Sequence, residues 1–73
     1  MSAARRFEFV EGGSKKFWEI AVDGCAFTVR YGRLGTSGQV KTKSFPTEDR
    51  ARRDADKLIE EKLRKRYLEV TRR

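Results

Sequence analysis

Histidine is absent from the sequence, and Cys25 is the only cysteine. The commonest general base of enzymes is therefore missing, and there is no cysteine–histidine cluster to bind zinc. The segment Gly32–Gly35 lacks the Gly-Lys-Ser/Thr ending of a phosphate-binding loop. Most acidic residues lie in the last third of the chain at ion-pair spacing, which is typical of a solvated helix. These absences predict a protein that is not an enzyme and that uses no metal and no cofactor.

Long apolar runs are absent as well, and none approaches the roughly 20 residues that cross a bilayer. The N-terminus leads into Phe-Glu-Phe and not into the apolar stretch of a secretory signal. A lone cysteine provides no disulfide framework, so Cys25 is predicted to be a buried strand residue. With 73 residues, the chain is expected to be a single domain, 1–73, with its core at about 6–70. We expect a monomer in the cytoplasm, with no membrane partner.

Positive charge is what the sequence has in excess, since 18 basic residues face 11 acidic ones for a net charge of +7. Residues 46–73 mix ten basic with seven acidic residues, whereas residues 24–47 contain no acidic residue. The cations of this acid-free segment are Arg30, Arg33, Lys41 and Lys43. Arginine and lysine are the side chains that hold phosphates. A basic strand pair also protects a sheet edge from aggregation, and the charge pattern alone leaves both interpretations open.

Hydrophobic and polar residues alternate through the first two-thirds of the chain, which is the pattern of half-buried strands. Four runs show this period of two: Arg6–Val10, Phe17–Val22, Cys25–Tyr31 and Gln39–Phe45. The alternation assigns four aromatic side chains to the core: Phe7, Phe9, Trp18 and Phe27. Glycine-rich segments separate the runs, and Asp23-Gly24 is a signal for a two-residue hairpin. We therefore predict short antiparallel connections.

The last third of the chain predicts one helix, capped by Thr47 and followed by a short strand at Tyr67–Val70. The apolar stripe at helical spacing comprises Ala51, Ala55, Leu58, Ile59 and Leu63. Ion pairs on the outer face are predicted for Asp49–Arg53, Glu60–Arg64 and Glu61–Lys65. The predicted fold class is α+β, with a four- to five-stranded antiparallel sheet and one C-terminal helix packed on one face.

Tyr31 ends its strand beside Gly32, between Arg30 and Arg33. A ring flanked by cations and one glycine can stack on a base or a sugar, a contact worth roughly 1–3 kcal/mol. In the other interpretation Tyr31 caps the core and keeps its hydroxyl in water. Spacing alone does not favour either one.

The run Val29–Thr36, which reads Val-Arg-Tyr-Gly-Arg-Leu-Gly-Thr, is followed by Gly38-Gln39 and a basic strand. It closely resembles the motif of the WGR domain family, with Tyr31 in place of the name-giving tryptophan. Further segments similar to the family are Lys16–Ile20, Lys57–Lys62 and Tyr67–Val70, so the resemblance covers about residues 6–70. Arg66 departs from it, since bacterial members often have glycine at this position.

The resemblance implies an antiparallel sheet with one helix and a protein without a catalytic domain. WGR domains occur in poly(ADP-ribose) polymerases and in bacterial proteins, alone or joined to other domains. In the polymerases, the motif tryptophan packs against the sugar at the 5′ end of a DNA break, and the motif arginine contacts neighbouring domains. By resemblance, Tyr31 takes the stacking role and Arg33 a bridging or phosphate role, and Lys41 lies near a basic position that faces DNA.

Two functions are therefore expected as alternatives. The first is non-catalytic nucleic-acid binding, with DNA favoured, through the backbone or the ends. Its predicted site residues are Arg30, Tyr31, Gly32, Arg33, Lys41 and Lys43. The second is a protein-interaction or interdomain regulatory module without intrinsic nucleic-acid binding, which would dock a protein partner through the helix face or Arg33.

Overall fold

Five strands and one helix make up residues 4–70, the part of the chain that the computed structural model describes. The elements are β1 (Arg5–Glu11), β2 (Ser14–Asp23), β3 (Ala26–Arg33), β4 (Gln39–Ser44), α1 (Glu48–Arg64) and β5 (Leu68–Val70). The strands form one antiparallel sheet in the order β4-β3-β2-β1-β5. The predicted α+β fold is confirmed, including the short strand that follows the helix.

The core lies between α1 and one face of the sheet, because alternate residues of each strand share a face. Its buried members are Phe7, Trp18, Ile20, Phe27, Val29, Ala55 and Ile59. The rings of Phe7 and Trp18 pack at its centre with their centroids 5.7 Å apart. Three predicted core residues are not fully buried, and one of them, Leu58, is half-buried against the core. Phe9 is half-buried beside the ring of Tyr67, and Leu63 is exposed because the inward stripe of α1 continues through Lys62.

Phe17 is buried on the helix-free face, where the alternation would leave it in water. The residue is only 2% exposed. The guanidinium of Arg6 lies 4.6 Å from the centroid of its ring, and the backbone of Gly38 packs against the same ring. Arg6 is itself held by ion pairs to Glu8 and Glu19. A cation and a glycine thus cover an aromatic side chain on the face of the sheet opposite α1.

The turn between β2 and β3 differs from the sequence prediction. Cys25 is exposed and lies in this turn, so its prediction as a buried strand residue is wrong. Asp23 pairs with Ala26 across the hairpin, which leaves Gly24 and Cys25 as the two turn residues. The hairpin signal was correct, but the turn begins one residue later than Asp23-Gly24.

The ion pairs predicted along α1 do not form. Within residues 4–70, the ion pairs are Arg5–Glu69, Arg6–Glu8, Arg6–Glu19 and Arg66–Glu11. The pairs Asp49–Arg53, Glu60–Arg64 and Glu61–Lys65 are not among them. Exposed pairs at this spacing gain little over separate hydration, since ordering two long side chains costs entropy.

Both ends of α1 have identifiable caps. The Thr47 hydroxyl accepts a hydrogen bond of 3.2 Å from the backbone N–H of Arg50, which confirms the predicted N-cap. At the other end, the N–H of Tyr67 donates to the carbonyl of Lys62, and the N–H of Arg66 donates to that of Leu63. This pair of bonds is a Schellman motif, which requires a left-handed residue after the helix. Arg66 supplies it at φ 74°.

Replacing Arg66 with glycine is expected to stabilise the protein by about 1 kcal/mol, because a Cβ in the left-handed region is strained. The substitution also removes the ion pair with Glu11, but both side chains are largely exposed, so that loss is small. Arg66→Ala is the control, since it removes the same ion pair and keeps the Cβ. Urea denaturation measures the effect, and equal stabilities of the two variants would contradict the strain.

Candidate nucleic-acid interface

The period of two along β3 divides the predicted site residues between the two faces of the sheet. Val29 faces the core beneath α1, so Tyr31 and Arg33 lie on the helix side. Lys41 of β4 pairs with Val29 and therefore shares that side. Arg30 lies on the helix-free face. The structure thus brings Tyr31, Arg33 and Lys41 together and separates Arg30 from them.

Close packing of two backbones explains why the motif has glycine at position 32. A Cβ at Gly32 would lie 2.8 Å from the Cα of Gly38, so the loop before β4 approaches β3 with almost no space between the two backbones. Thr36 fixes the same loop, since its hydroxyl donates a 2.8 Å hydrogen bond to the carbonyl of Arg33. The glycine of the motif therefore positions the loop, and its neighbours Tyr31 and Arg33 are the residues predicted to bind.

A pocket of about 460 Å³ opens on the helix side of the sheet, between the end of β3 and the last turn of α1. Its cations are Lys16, Arg33, Lys41 and Lys62, and its aromatic residues include Trp18, Tyr31 and Tyr67. No acidic residue of the described chain lines it. We call this site the basic pocket. Within residues 4–70, these four positive side chains have no carboxylate partner, so the electrostatics of the pocket favour an anion over a cation.

Tyr31 is held at the border between the core and the basic pocket. It is half-buried against the hydrophobic core, and its hydroxyl donates a 3.2 Å hydrogen bond to the Gln39 side chain. The Nζ atom of Lys41 lies 5.8 Å from the centroid of its ring. The ring therefore packs on the core and also lines the pocket, and its stacking on a base or a sugar stays a prediction.

Lys62 and Tyr67 form the opposite wall of the basic pocket. The Nζ atom of Lys62 lies 5.5 Å from the centroid of the Trp18 ring and 5.2 Å from that of the Tyr67 ring. Both distances are within cation–π range. Sequence reasoning did not assign Lys62, Tyr67 or Lys16 to the site. The signal for Lys62 was its helical spacing, because Ala55, Ile59 and Lys62 fall on one face of α1.

The environment of Lys62 disfavours its charged form. Burial is the main cause that lowers the pKa of Lys62 below its usual value. Repulsion from Lys65 and Lys16 lowers this pKa further, and attraction from Glu61 offsets part of the decrease. Lys62 therefore loses its proton more readily than an exposed lysine does.

Lys43 lies in a neighbouring groove of about 450 Å³ between β4 and α1, which we call the β4 groove. Its floor includes Phe27 and Leu58, and its charged lining includes Asp54 and Glu61. Because carboxylates share this groove with the lysines, it is less suited to phosphate than the basic pocket. Lys43, which the sequence predicted as a site residue, therefore lies beside the basic pocket and not in it.

Residues 4–70 contain no cluster of three or more histidine, cysteine, aspartate or glutamate side chains arranged to hold a metal ion. The single helix in this part of the chain, α1, is too short and too polar to cross a membrane. The chemistry available in the basic pocket is that of one guanidinium, three lysine amines and aromatic rings.

The WGR domain family profile matches residues 3–73, nearly the whole chain. The chain belongs to the WGR family. Its relatives include YfeS, an uncharacterized protein of Escherichia coli K12, to which it is 38% identical over 65 residues, or 89% of this chain and 27% of YfeS. YehF of the same organism is 35% identical over 65 residues, which are 89% of this chain and 24% of YehF. The chain thus spans about a quarter of each of these curated relatives.

A solved structure gives the same fold. The crystal structure of a Bacteroides fragilis protein is similar to this WGR domain with a TM-score of 0.92 and 43% identity, over 94% of this chain and 20% of that one. WGR is a non-catalytic domain, and in poly(ADP-ribose) polymerases it is implicated in nucleic-acid binding. In this WGR domain, the motif residues Tyr31 and Arg33 line the basic pocket.

Proposed function

We propose that this WGR domain is a non-catalytic module that binds nucleic acid, with DNA favoured, in the basic pocket. The observation that supports the proposal most strongly is the set of four cations, Lys16, Arg33, Lys41 and Lys62, which line the pocket without an acidic residue of the described chain. Phosphate neutralisation by such side chains supplies most of the affinity in sequence-independent binding.

Each group in the basic pocket has a distinct part in this proposal. Arg33 offers a planar guanidinium that can hold two phosphate oxygens, and the lysines supply point charges. Tyr31 presents the exposed part of a fixed ring to a sugar or base. Within residues 4–70, the cations of the pocket come from β2, β3, β4 and α1, and not from one helix or ribbon that enters a groove and reads base edges, so we expect binding without sequence specificity.

The affinity for duplex DNA is expected to fall steeply with salt. Four phosphate contacts give a slope of about −3.6 for the logarithm of the association constant against the logarithm of the salt concentration. Fluorescence anisotropy with a labelled duplex at several salt concentrations measures this slope. An affinity independent of salt, or no binding at low salt, would contradict the proposal.

A protein-interaction role is the second candidate, and the β4 groove is the feature that favours it. This groove combines an apolar floor with charges of both signs, which suits a polypeptide better than a phosphate backbone. A protein partner that still binds after Tyr31 and Lys16, which line the basic pocket and not the β4 groove, are replaced, and that DNA does not displace, would support this role over the first.

A further inference from the structure

Lys62 is half-buried, whereas the other cations of the basic pocket, Lys16, Arg33 and Lys41, are exposed. Within residues 4–70, no carboxylate lies within 4.0 Å of its Nζ atom, because Lys62 takes part in none of the ion pairs. The amine lies in a half-buried site over two aromatic rings, and their cation–π attraction favours the ammonium. An ion pair would hold the proton on the amine, whereas burial and neighbouring cations favour its loss.

We propose that Lys62 is a nucleophile, which forms a reversible imine with the aldehyde of a phosphorylated, ring-opened sugar bound in the basic pocket. The phosphate would be held by Arg33, Lys16 and Lys41, which line the same pocket. An abasic nucleotide in DNA carries both groups, a phosphate and a sugar that opens to an aldehyde. The choice of DNA as the carrier rests on the proposed function, but the reactivity of Lys62 does not.

The reaction needs only the amine and the aldehyde. The unprotonated Nζ of Lys62 donates its electron pair to the aldehyde carbon, and a C–N bond forms. The nitrogen gives up two protons during the reaction, and the carbonyl oxygen takes up two. The oxygen then leaves as water. The product is an imine, so no oxidant, reductant or metal is consumed. Water reverses the step, so the adduct holds a damaged sugar without a permanent bond.

Pyridoxal 5′-phosphate tests the nucleophile without DNA, because it carries an aldehyde and a phosphate on one small molecule. The protein is incubated with it, reduced with borohydride and analysed by peptide mass spectrometry. We expect Lys62 to carry about ten times more label than the average of the other lysines, since a bound phosphate raises the local concentration of aldehyde. Inorganic phosphate should reduce this labelling. Lys62→Arg should remove it, whereas Lys57→Arg, the matched control on α1, should leave it in place.

A duplex with one abasic site then tests whether DNA is the molecule that carries the aldehyde. An intact duplex and ribose 5-phosphate are the comparison ligands. Borohydride should trap a protein–DNA adduct at Lys62 with the abasic duplex only, and the yield per bound complex should fall at least about tenfold in Lys62→Arg. Labelling by pyridoxal 5′-phosphate spread evenly over the seven lysines would overturn the inference, even if intact DNA binds. Trapping of ribose 5-phosphate at Lys62 without any DNA binding would retain the nucleophile and contradict the proposed function.

Discussion

Gly38→Ala is expected to lower the free energy of unfolding by about 3 kcal/mol, the sum of backbone strain and overpacking. Gly38 has φ 74°, in the left-handed region. A Cβ there would clash with the carbonyl oxygen of Tyr31 and would lie 2.8 Å from the ring of Phe17. The carbonyl belongs to β3 and cannot move without breaking the sheet, so the loop must leave its position. A domain of this size has little stability to spare.

Gly35→Ala is the matched control, because Gly35 lies in the same loop with φ 91° and a Cβ there would meet nothing within 4 Å. Its cost is the backbone strain alone, about 1 kcal/mol. Thermal and urea denaturation of both variants measure the difference. Each kcal/mol corresponds to roughly 4–8 °C in Tm for a domain of this size. Equal losses in the two variants would contradict the close contact between Gly38, β3 and Phe17.

The elements of the fold were predictable because they depend on local patterns. The period of two located β2 and β3 and assigned Trp18 and Phe27 to the core, and Thr47 marked the start of α1. Phe17 was not predictable in this way. Its burial depends on Arg6 and on a loop that follows β3, and neither is adjacent to it in sequence.

The candidate site was predictable only in part. The alternation that places Val29 and Tyr31 on one face also places Arg30 on the opposite face, so applying it consistently would have excluded Arg30. Lys62 and Tyr67 join the basic pocket from the end of α1 and the segment after it, far from the motif in sequence. Local spacing carries no information on where the end of a helix meets a sheet. The motif therefore indicated one wall of the pocket, and tertiary packing supplied the other.

The double variant Arg33→Ala/Lys41→Ala is expected to lose about 100-fold in affinity for duplex DNA. A charge-assisted hydrogen bond contributes roughly 1.5–3 kcal/mol, so each lost contact costs at least about tenfold. Two fewer phosphate contacts should also reduce the steepness of the salt slope by about 1.8. Arg33 and Lys41 lie on the pocket side of adjacent strands, and neither side chain belongs to the hydrophobic core.

The comparison that tests the central claim most directly is this variant against Lys15→Ala/Arg30→Ala. Both doubles remove one arginine and one lysine, so the net charge changes equally, but Arg30 and Lys15 lie on the helix-free face. Anisotropy titrations at one salt concentration should give a loss of about 100-fold for the pocket variant and about twofold for the control. Equal losses would mean that overall charge and not the basic pocket holds the nucleic acid, and would contradict the account.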